Sequence, residues 1–358
     1  MRIGILTYHR AHNYGAVLQC YALQTYLRTL GHDVFVVDYK PSYFNYGLFV
    51  WYKWISANPV KLFHKIRHQL KTFRLQYDRY VGFNHFIENV ISPRRFNLQN
   101  ANSGVECFVF GSDQIWRKNG VLFDSVFFGN FKAAKNAKLI SYAASMGLDT
   151  LTENEGKQIS EWLSHFDSLM VRETSLQSLL SPLTKKNIDV VVDPTLLLSS
   201  KEWDKIAQYP PISKQYVLVY QVIENRATLQ IAQEAAMRIN AEVIVLASKV
   251  DSKETNHRTV YDATPQEFIG WIANAAMVVT TSFHGTAFSI IYRKPFVSVK
   301  QHRPSDLRLS SVLETFGLQN RFLDCDTWTW SQDYLNNPSP VYNSIEHSKQ
   351  LLNLFLSK

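Results

Sequence analysis

The sequence predicts an α/β protein built from two Rossmann-like parallel-sheet domains that face each other across a cleft. Three observations carry that reading. The chain has 358 residues, more than one core usually supports, which favours two domains of about 150–200 residues. Short β-branched apolar runs alternate with segments of helical period along its length. The alternation pauses once, over Lys201–Ser213 with its Pro210-Pro211 pair, and then restarts. The expected division is residues 1–205, 214–335 and a C-terminal helical tail, 336–358, that docks across the domain boundary. The first domain carries an insertion at about 42–90.

Composition narrows the function classes. A hydrophobic content of 46% supports real cores and argues against disorder. Cys20, Cys107 and Cys325 lie far apart with no metal-like spacing, which fits a reducing cytoplasm and predicts neither disulfides nor a metal site. Met1-Arg2-Ile3-Gly4 starts directly on a strand-like run, so no signal peptide is expected. No apolar stretch reaches the roughly 20 residues that span a bilayer. A net charge of +8 suits nucleic acid, an anionic membrane or acidic substrates, but no nucleic-acid motif is present.

In order, Arg2–Tyr8 reads as a strand ending in the polar turn His9–Asn13. Tyr14-Gly15-Ala16 leads into a helix, Val17–Leu30, stopped by Gly31, and Val34–Val37 is the next strand. This opening lacks the GxGxxG fingerprint, so a nucleotide redox cofactor is not supported. The helix start at Asn13, Tyr14 and Gly15 either meets a ligand or is only a tight turn. Tyr43, Phe44, Tyr46, Phe49, Trp51, Tyr52 and Trp54 then precede a long helix with the stripe Phe63, Ile66, Leu70, Phe73, Tyr77, Tyr80. Lys61, Lys65, Arg67, Lys71 and Arg74 decorate it. That pattern suits a surface against anionic lipid, or an insertion packed on the first domain with a solvated basic face.

Glu106–Phe110 is a strand followed by Gly111-Ser112-Asp113-Gln114-Ile115-Trp116. Asp113 and Gln114 sit where a strand-end loop shows them to a cleft, although Asp113 also suits a local cap. Leu139–Ala144 is a strand, and Leu169–Val171 delivers Arg172 to a strand's carboxyl end. There its fork suits phosphate or carboxylate, or else a surface ion pair. Asp189–Val192 and Asp193-Pro194-Thr195 close the first half. After the linker come strand Tyr216–Val222, helix Thr228–Ile239, strand Glu242–Leu246 and helix Pro265–Asn274; the tail helix is Tyr342–Leu356.

The stretch Val278–Lys300 carries the strongest functional signal. Met277–Thr281 reads as a buried strand, Ser282-Phe283-His284-Gly285-Thr286 as a turn with Thr286 as N-cap, and Ala287–Tyr292 as the helix. Arg293-Lys294-Pro295 ends it and Phe296–Val299 returns as a strand. Such a turn lies at the carboxyl end of a parallel sheet, where helix-start N–H groups face an anion and Gly285 admits a ligand to the backbone. His284 is its one side chain able to move a proton near neutral pH. The alternative is a capped core helix whose histidine is satisfied by backbone.

Taken together, HNYGAVLQCYAL, GSDQIW, SYAASMG, VRETSL, VVDPTLLL and TTSFHGTAFSIIYRKPFV resemble the polysaccharide pyruvyl transferase family nearly end to end. The resemblance implies a GT-B-like pair of domains. It also implies transfer of pyruvate from phosphoenolpyruvate, as donor substrate with no cofactor, onto a sugar diol as a cyclic ketal. His284 matches the family's general acid/base and Arg172 a donor-binding arginine. Better-known relatives carry an arginine two residues before that histidine, where this chain has Ser282; Arg293, Lys300, Arg303 and Arg308 lie near enough in sequence to compensate. The expected donor side is Arg172, Ser282, Gly285, Thr286 and Lys300. The acceptor side is Asn13, Tyr14, Gly15 and Gln114, with Asp113 as partner of the acceptor hydroxyl. The acceptor is expected on a lipid carrier at the inner face of the cytoplasmic membrane. Two other readings use the same residues: a GT-B glycosyltransferase acting on a nucleotide sugar, and a non-catalytic membrane-surface protein.

Overall fold

The strands are buried on both faces, and successive side chains alternate between the cores on either side, which sets the layers. A computed structural model describes residues 1–43, 59–120, 122–148, 150–222, 224–248, 257–303 and 305–357, without the side chains of residues 59, 61–71 and 305. The first half runs β1 (Arg2–Leu6), α1 (Tyr14–Thr29), β2 (Asp33–Val36), α2 (Pro59–His85, extended by a π turn over Phe86–Ile91), β3 (Cys107–Phe110) and β4 (Lys138–Ala144). It continues with α3 (Glu153–Ser164), β5 (Ser168–Val171), α4 (Thr174–Leu180), β6 (Ile188–Val190) and α5 (Ser200–Asp204). The second half runs β7 (Tyr216–Gln221), α6 (Arg226–Arg238), β8 (Glu242–Ala247), β9 (Arg258–Val260), α7 (Pro265–Asn274) and β10 (Met277–Thr280). After these come α8 (Phe283–Ile291), β11 (Phe296–Lys300), α9 (Ser305–Thr315), β12 (Phe322–Asp324) and α10 (Asn343–Ser357).

The strands form two six-stranded sheets, ordered β2-β1-β3-β4-β5-β6 and β12-β11-β10-β7-β8-β9. Every paired strand is parallel to its neighbour. Each order reverses once, between β1 and β3 in the first sheet and between β7 and β10 in the second. At such switch points the flanking connections leave in opposite directions and open a crevice beyond the strands' carboxyl ends. The architecture is therefore the two-domain, parallel-sheet one expected. Short edge strands β9 and β12 and helices α3 and α9 are additions that the sequence reading leaves unassigned.

Three apolar cores follow from the alternation. Phe108 and Phe110 of β3 face outward with Leu6, while Cys107 and Val109 face the other way with Ile3 and Ile5 of β1. In the second sheet Val217 and Val219 face a third core, and Tyr216, Leu218 and Tyr220 turn inward. The inward faces of both sheets, with residues of α1, α7, α8 and α10, belong to one continuous cluster. The tail helix α10 packs into it through Leu352 and Leu356, and its Ser348 Oγ accepts the Val192 N–H at 3.0 Å.

Tyr14 and α2 fasten the halves together. Tyr14, expected to meet the acceptor, is 1% exposed and stacks on Phe268 of α7 at 4.5 Å. Its hydroxyl donates to Ala263 O at 2.8 Å and accepts from Arg79 Nη1 at 2.6 Å. Burial, opposed by the Arg79 charge, pushes its pKa up to about 12. Arg79 also donates to Tyr261 O at 3.3 Å and to Ser248 O at 3.2 Å. Gly82 lies so close to Thr264 that a Cβ there would come within 2.7 Å of its methyl. The C-terminal part of α2 is thus a strut across the boundary, a role that the sequence pattern of the insertion does not announce. Along its exposed side Phe73, Tyr77 and Val81 are 41%, 48% and 44% exposed, so the stripe does not continue into a core there. The aromatic run Phe44–Trp54 lies outside the described residues, as do the side chains of Lys61, Lys65, Arg67 and Lys71.

Replacing Arg79 with alanine leaves the Tyr14 hydroxyl and the carbonyls of residues 248 and 261 without their donor. Unpairing buried polar groups costs about 1–3 kcal/mol each. Calorimetry of Arg79→Ala is expected to show a lowered and broadened transition that splits by domain.

Candidate active site

Both switch points open onto one cleft of about 420 Å³ between the two sheets. Asn13 follows β1, Asp113 and Gln114 follow β3, Tyr220 ends β7, and Ser282 and His284 follow β10; all of them line it. Asn13 Oδ1 accepts the Ala16 N–H at 3.3 Å and so caps α1, while its Nδ2 carries no partner among the described residues. Asp113 has a φ of 70°, in the left-handed region that aspartate tolerates better than most residues. Its Oδ1 accepts the Gln114 N–H at 2.8 Å. Arg117, exposed at the rim, adds a positive charge.

His284 lies at the boundary between the halves, with 12% of its side chain exposed. Its ring packs against Gly15, where any Cβ would overlap it. Gly15 is therefore required by the histidine, not by a ligand. Nε2 makes no hydrogen bond and stands 3.9 Å from Asp193 Oδ2. Burial pushes the imidazole pKa below its usual 6.5, and the charges of Arg172 and Arg308 act the same way against Asp193 and Asp113.

Asp193 is fully buried, and four donors hold it: Thr195 N at 3.0 Å, Thr195 Oγ1 at 2.8 Å, Ser112 Oγ at 3.0 Å and Arg172 Nη1 at 2.9 Å. Burial alone would raise its pKa; the charges of His284 and Arg172 and the Thr195 N–H outweigh this and hold it below the usual range. Arg172 Nε donates to Glu173 Oε1 at 3.0 Å, and its guanidinium lies 4.7 Å from the Phe283 ring centroid. Burial would lower the Arg172 pKa, but Glu173 and Asp193 carry it upward. Its Nη2 is buried without a partner. Arg172 does not line the cleft but faces a second chamber of about 360 Å³ behind Phe283 and Arg308, closed by α9 and α10. Arg308 lines both spaces; burial and the Arg172 charge push its pKa down. Among the described residues its guanidinium has no hydrogen-bond partner. Of the four cations near Ser282 in sequence, Arg308 is the one that reaches the site.

The structure corrects several expected roles. Helix α8 starts at Phe283, with Ser282 as N-cap accepting the Gly285 N–H at 3.4 Å; His284 sits in the first turn and Thr286 is not the cap. Gly285 admits Thr280 against the helix, where a Cβ would collide with its Oγ1. Thr286 is buried and its Oγ1 lies 2.6 Å from Ser298 Oγ on β11. Lys300 points away, its ammonium 5.0 Å from the Phe322 ring centroid. Arg293 donates to the Tyr342 hydroxyl at 3.1 Å on the outside. Asp193 and Ser112 were missed as site residues because each reads as a turn former in sequence. At the far edge of the second sheet His302, Asp324, Cys325 and Asp326 also converge, which the cysteine spacing does not reveal.

Comparison with known proteins bears on both fold and family. No curated protein matches the chain. A Listeria monocytogenes protein described as a UDP-N-acetylglucosamine 2-epimerase aligns with a TM-score of 0.50 at 10% identity, over 99% of this chain and 95% of its own. At that identity the likeness speaks for the two-domain GT-B-type fold alone. The UDP-GlcNAc 2-epimerase of Methanocaldococcus jannaschii gives 0.47 at 10% identity, over 99% of this chain and 100% of its own. The profile of the polysaccharide pyruvyl transferase family matches residues 13–303. With most of its length matched, both halves and the His284 turn included, the chain belongs to the polysaccharide pyruvyl transferase family.

Proposed function

We propose that the protein moves the pyruvate of phosphoenolpyruvate onto two hydroxyls of one sugar as a cyclic ketal, in the building of a cell-surface polysaccharide. The observation that carries this reading is the unpartnered His284 Nε2 at the boundary between the domains, with Asp193 behind it. One sugar hydroxyl attacks C2 of the enolpyruvyl group, and His284 takes its proton. The imidazolium so formed is favoured by the nearby Asp193 charge and returns the proton to the methylene, which becomes a methyl group. The C–O bond to phosphate then breaks with its electron pair on phosphate. The second hydroxyl attacks the oxocarbenium carbon, and its proton leaves with the phosphate.

The donor carries a phosphate and a carboxylate. Arg308 and the N–H groups of Phe283 and His284, which precede any intrahelical acceptor, supply charge and hydrogen bonds for them, and Arg172 adds its charge from behind the Phe283 ring. Asp113, Gln114 and Asn13 on the opposite wall are polar groups suited to sugar hydroxyls. Asp113 there orients the attacking hydroxyl.

Incubating purified protein with phosphoenolpyruvate and candidate lipid-linked sugars, with mass spectrometry of the sugar, tests the reading; turnover of a nucleotide sugar instead would replace it with glycosyl transfer. His284→Ala is expected to stay folded and to lose about 10²–10⁴-fold in rate, the usual worth of a general acid/base. The acid side of the pH profile follows from the lowered pKa. The base is active when unprotonated, so kcat/KM is expected to hold down to pH 6.5 and to fall only below it. A limb centred above pH 6.5 would assign the base to another group.

The same reading places the acceptor on a lipid carrier and the protein at an anionic membrane surface. No helix among the described residues is long and apolar enough to cross a membrane. The exposed Phe73, Tyr77 and Val81 beside Arg74, itself 93% exposed, support an interfacial role for α2. Charge reversal at Lys61, Lys65, Lys71 and Arg74 is expected to release the protein from anionic liposomes at low salt while sparing turnover of a soluble acceptor. Each basic residue near such a surface is worth about 1 kcal/mol. Wild-type protein that ignores anionic liposomes ends the idea.

A further inference from the structure

The parallel pairing of β11 with β12 sets Lys300 opposite Asp324. Two residues beyond that pair, the chain brings His302 level with Asp326, and Cys325 lies between the two acids. One ligand atom from each of His302, Asp324, Cys325 and Asp326 fits within 4.8 Å of all the others. His302 Nε2 stands 3.4 Å from Asp324 Oδ1 and 3.3 Å from Asp326 Oδ2. Charge-assisted hydrogen bonds run at about 2.7–2.9 Å, so both separations are long for a direct bond. They do match the edges of a coordination tetrahedron: metal bonds of about 2.0–2.1 Å to nitrogen and oxygen put neighbouring ligand atoms about 3.3–3.4 Å apart.

We propose that these four side chains form a binding site for one divalent transition-metal ion of the zinc class. An imidazole nitrogen and a thiolate select such an ion over magnesium or calcium, which prefer all-oxygen shells. Two carboxylates and a thiolate also offset the ion's charge. Of the His302 and Asp326 side chains, 56% and 75% are exposed, so an ion reaches the site directly from solvent. Three of the four residues, Asp324, Cys325 and Asp326, lie beyond position 303, where the family match ends, and His302 lies at the very end of that match.

Its place suggests what the ion does. His302 belongs to the loop from β11 to α9. Asp306 Oδ2, in the first turn of α9, accepts the N–H groups of Gln301 at 2.9 Å and Arg303 at 3.3 Å in that loop. Helix α9 then delivers Arg308 to the cleft. An ion joining His302 to the end of β12 pins the start of α9 to the sheet edge, and through it the position of Arg308.

Protein stripped with a chelator and dialysed is titrated with Zn²⁺ by calorimetry and with Co²⁺ by visible absorption. The expected result is one ion per chain, a thiolate-to-cobalt charge-transfer band, and a rise in Tm with Zn²⁺. His302→Ala and Cys325→Ser should each weaken binding by about 10-fold or more, since even outer-shell partners of a metal site are worth 10–100-fold. His302 is exposed, so its substitution leaves the fold intact. Absence of saturable binding, a cobalt complex without the thiolate band, or affinity unchanged in both variants overturns the proposal. These readouts do not depend on turnover, so they stand or fall separately from the pyruvyl-transfer reading.

Discussion

A fully buried carboxylate has to be compensated on every side, and Asp193 organises the centre of this molecule for that reason. Removing one partner of a buried charge is far more costly than losing an exposed ion pair. The partners of Asp193 come from the end of β3 through Ser112, the end of β5 through Arg172, its own turn through Thr195, and the second domain through His284. The carboxylate therefore fixes the carboxyl ends of the first sheet relative to one another. The same charge that stabilises the arrangement also stands ready to favour an imidazolium. One carboxylate serves both, which ties the protonation of His284 to the integrity of the first domain.

The two halves do not meet as loosely docked bodies. Their inward sheet faces share a single apolar cluster, and Tyr14 reaches from α1 into α7 while Arg79 holds the carbonyls beyond β8 and β9. Interfaces of this kind, large and apolar with a satisfied buried polar pair, oppose the free domain motion expected of small polar ones. The cleft opens to solvent at its rim, beside Arg117.

Much of this was legible in sequence because period and punctuation are local properties. The alternation of strand and helix, the Pro210-Pro211 pause and the helix α7 over Pro265–Asn274 all follow from residues that sit side by side. The position of His284 between a β-branched strand and an apolar helix was legible too, although the helix begins one residue before it. What escaped depends on long-range geometry. Tyr14 reads as part of a loop because nothing nearby in sequence announces Phe268 or Arg79. Gly15 and Gly285 read as ligand-approach glycines, yet each makes room for a side chain, His284 in one case and Thr280 in the other. Ser282 and Thr286 both suit an N-cap by composition, and the choice between them rests on which backbone stays extended: Ser282, with φ −104° and ψ 135°. Asp193 looks like an ordinary turn aspartate until the ends of three strands converge on it.

The contact of His284 with Gly15 has a consequence for how such a protein can change over time. The imidazole belongs to one domain and the surface that seats it to the other, so neither half holds this contact alone. A separately expressed second domain would keep the histidine but lose both its seat and the Asp193 charge. Recombination that exchanged one half for that of a distant relative would have to bring a matching glycine with it. Drift at position 15 is closed unless position 284 moves in the same step, and the two sites are bound to a shared history although 269 residues separate them in the chain.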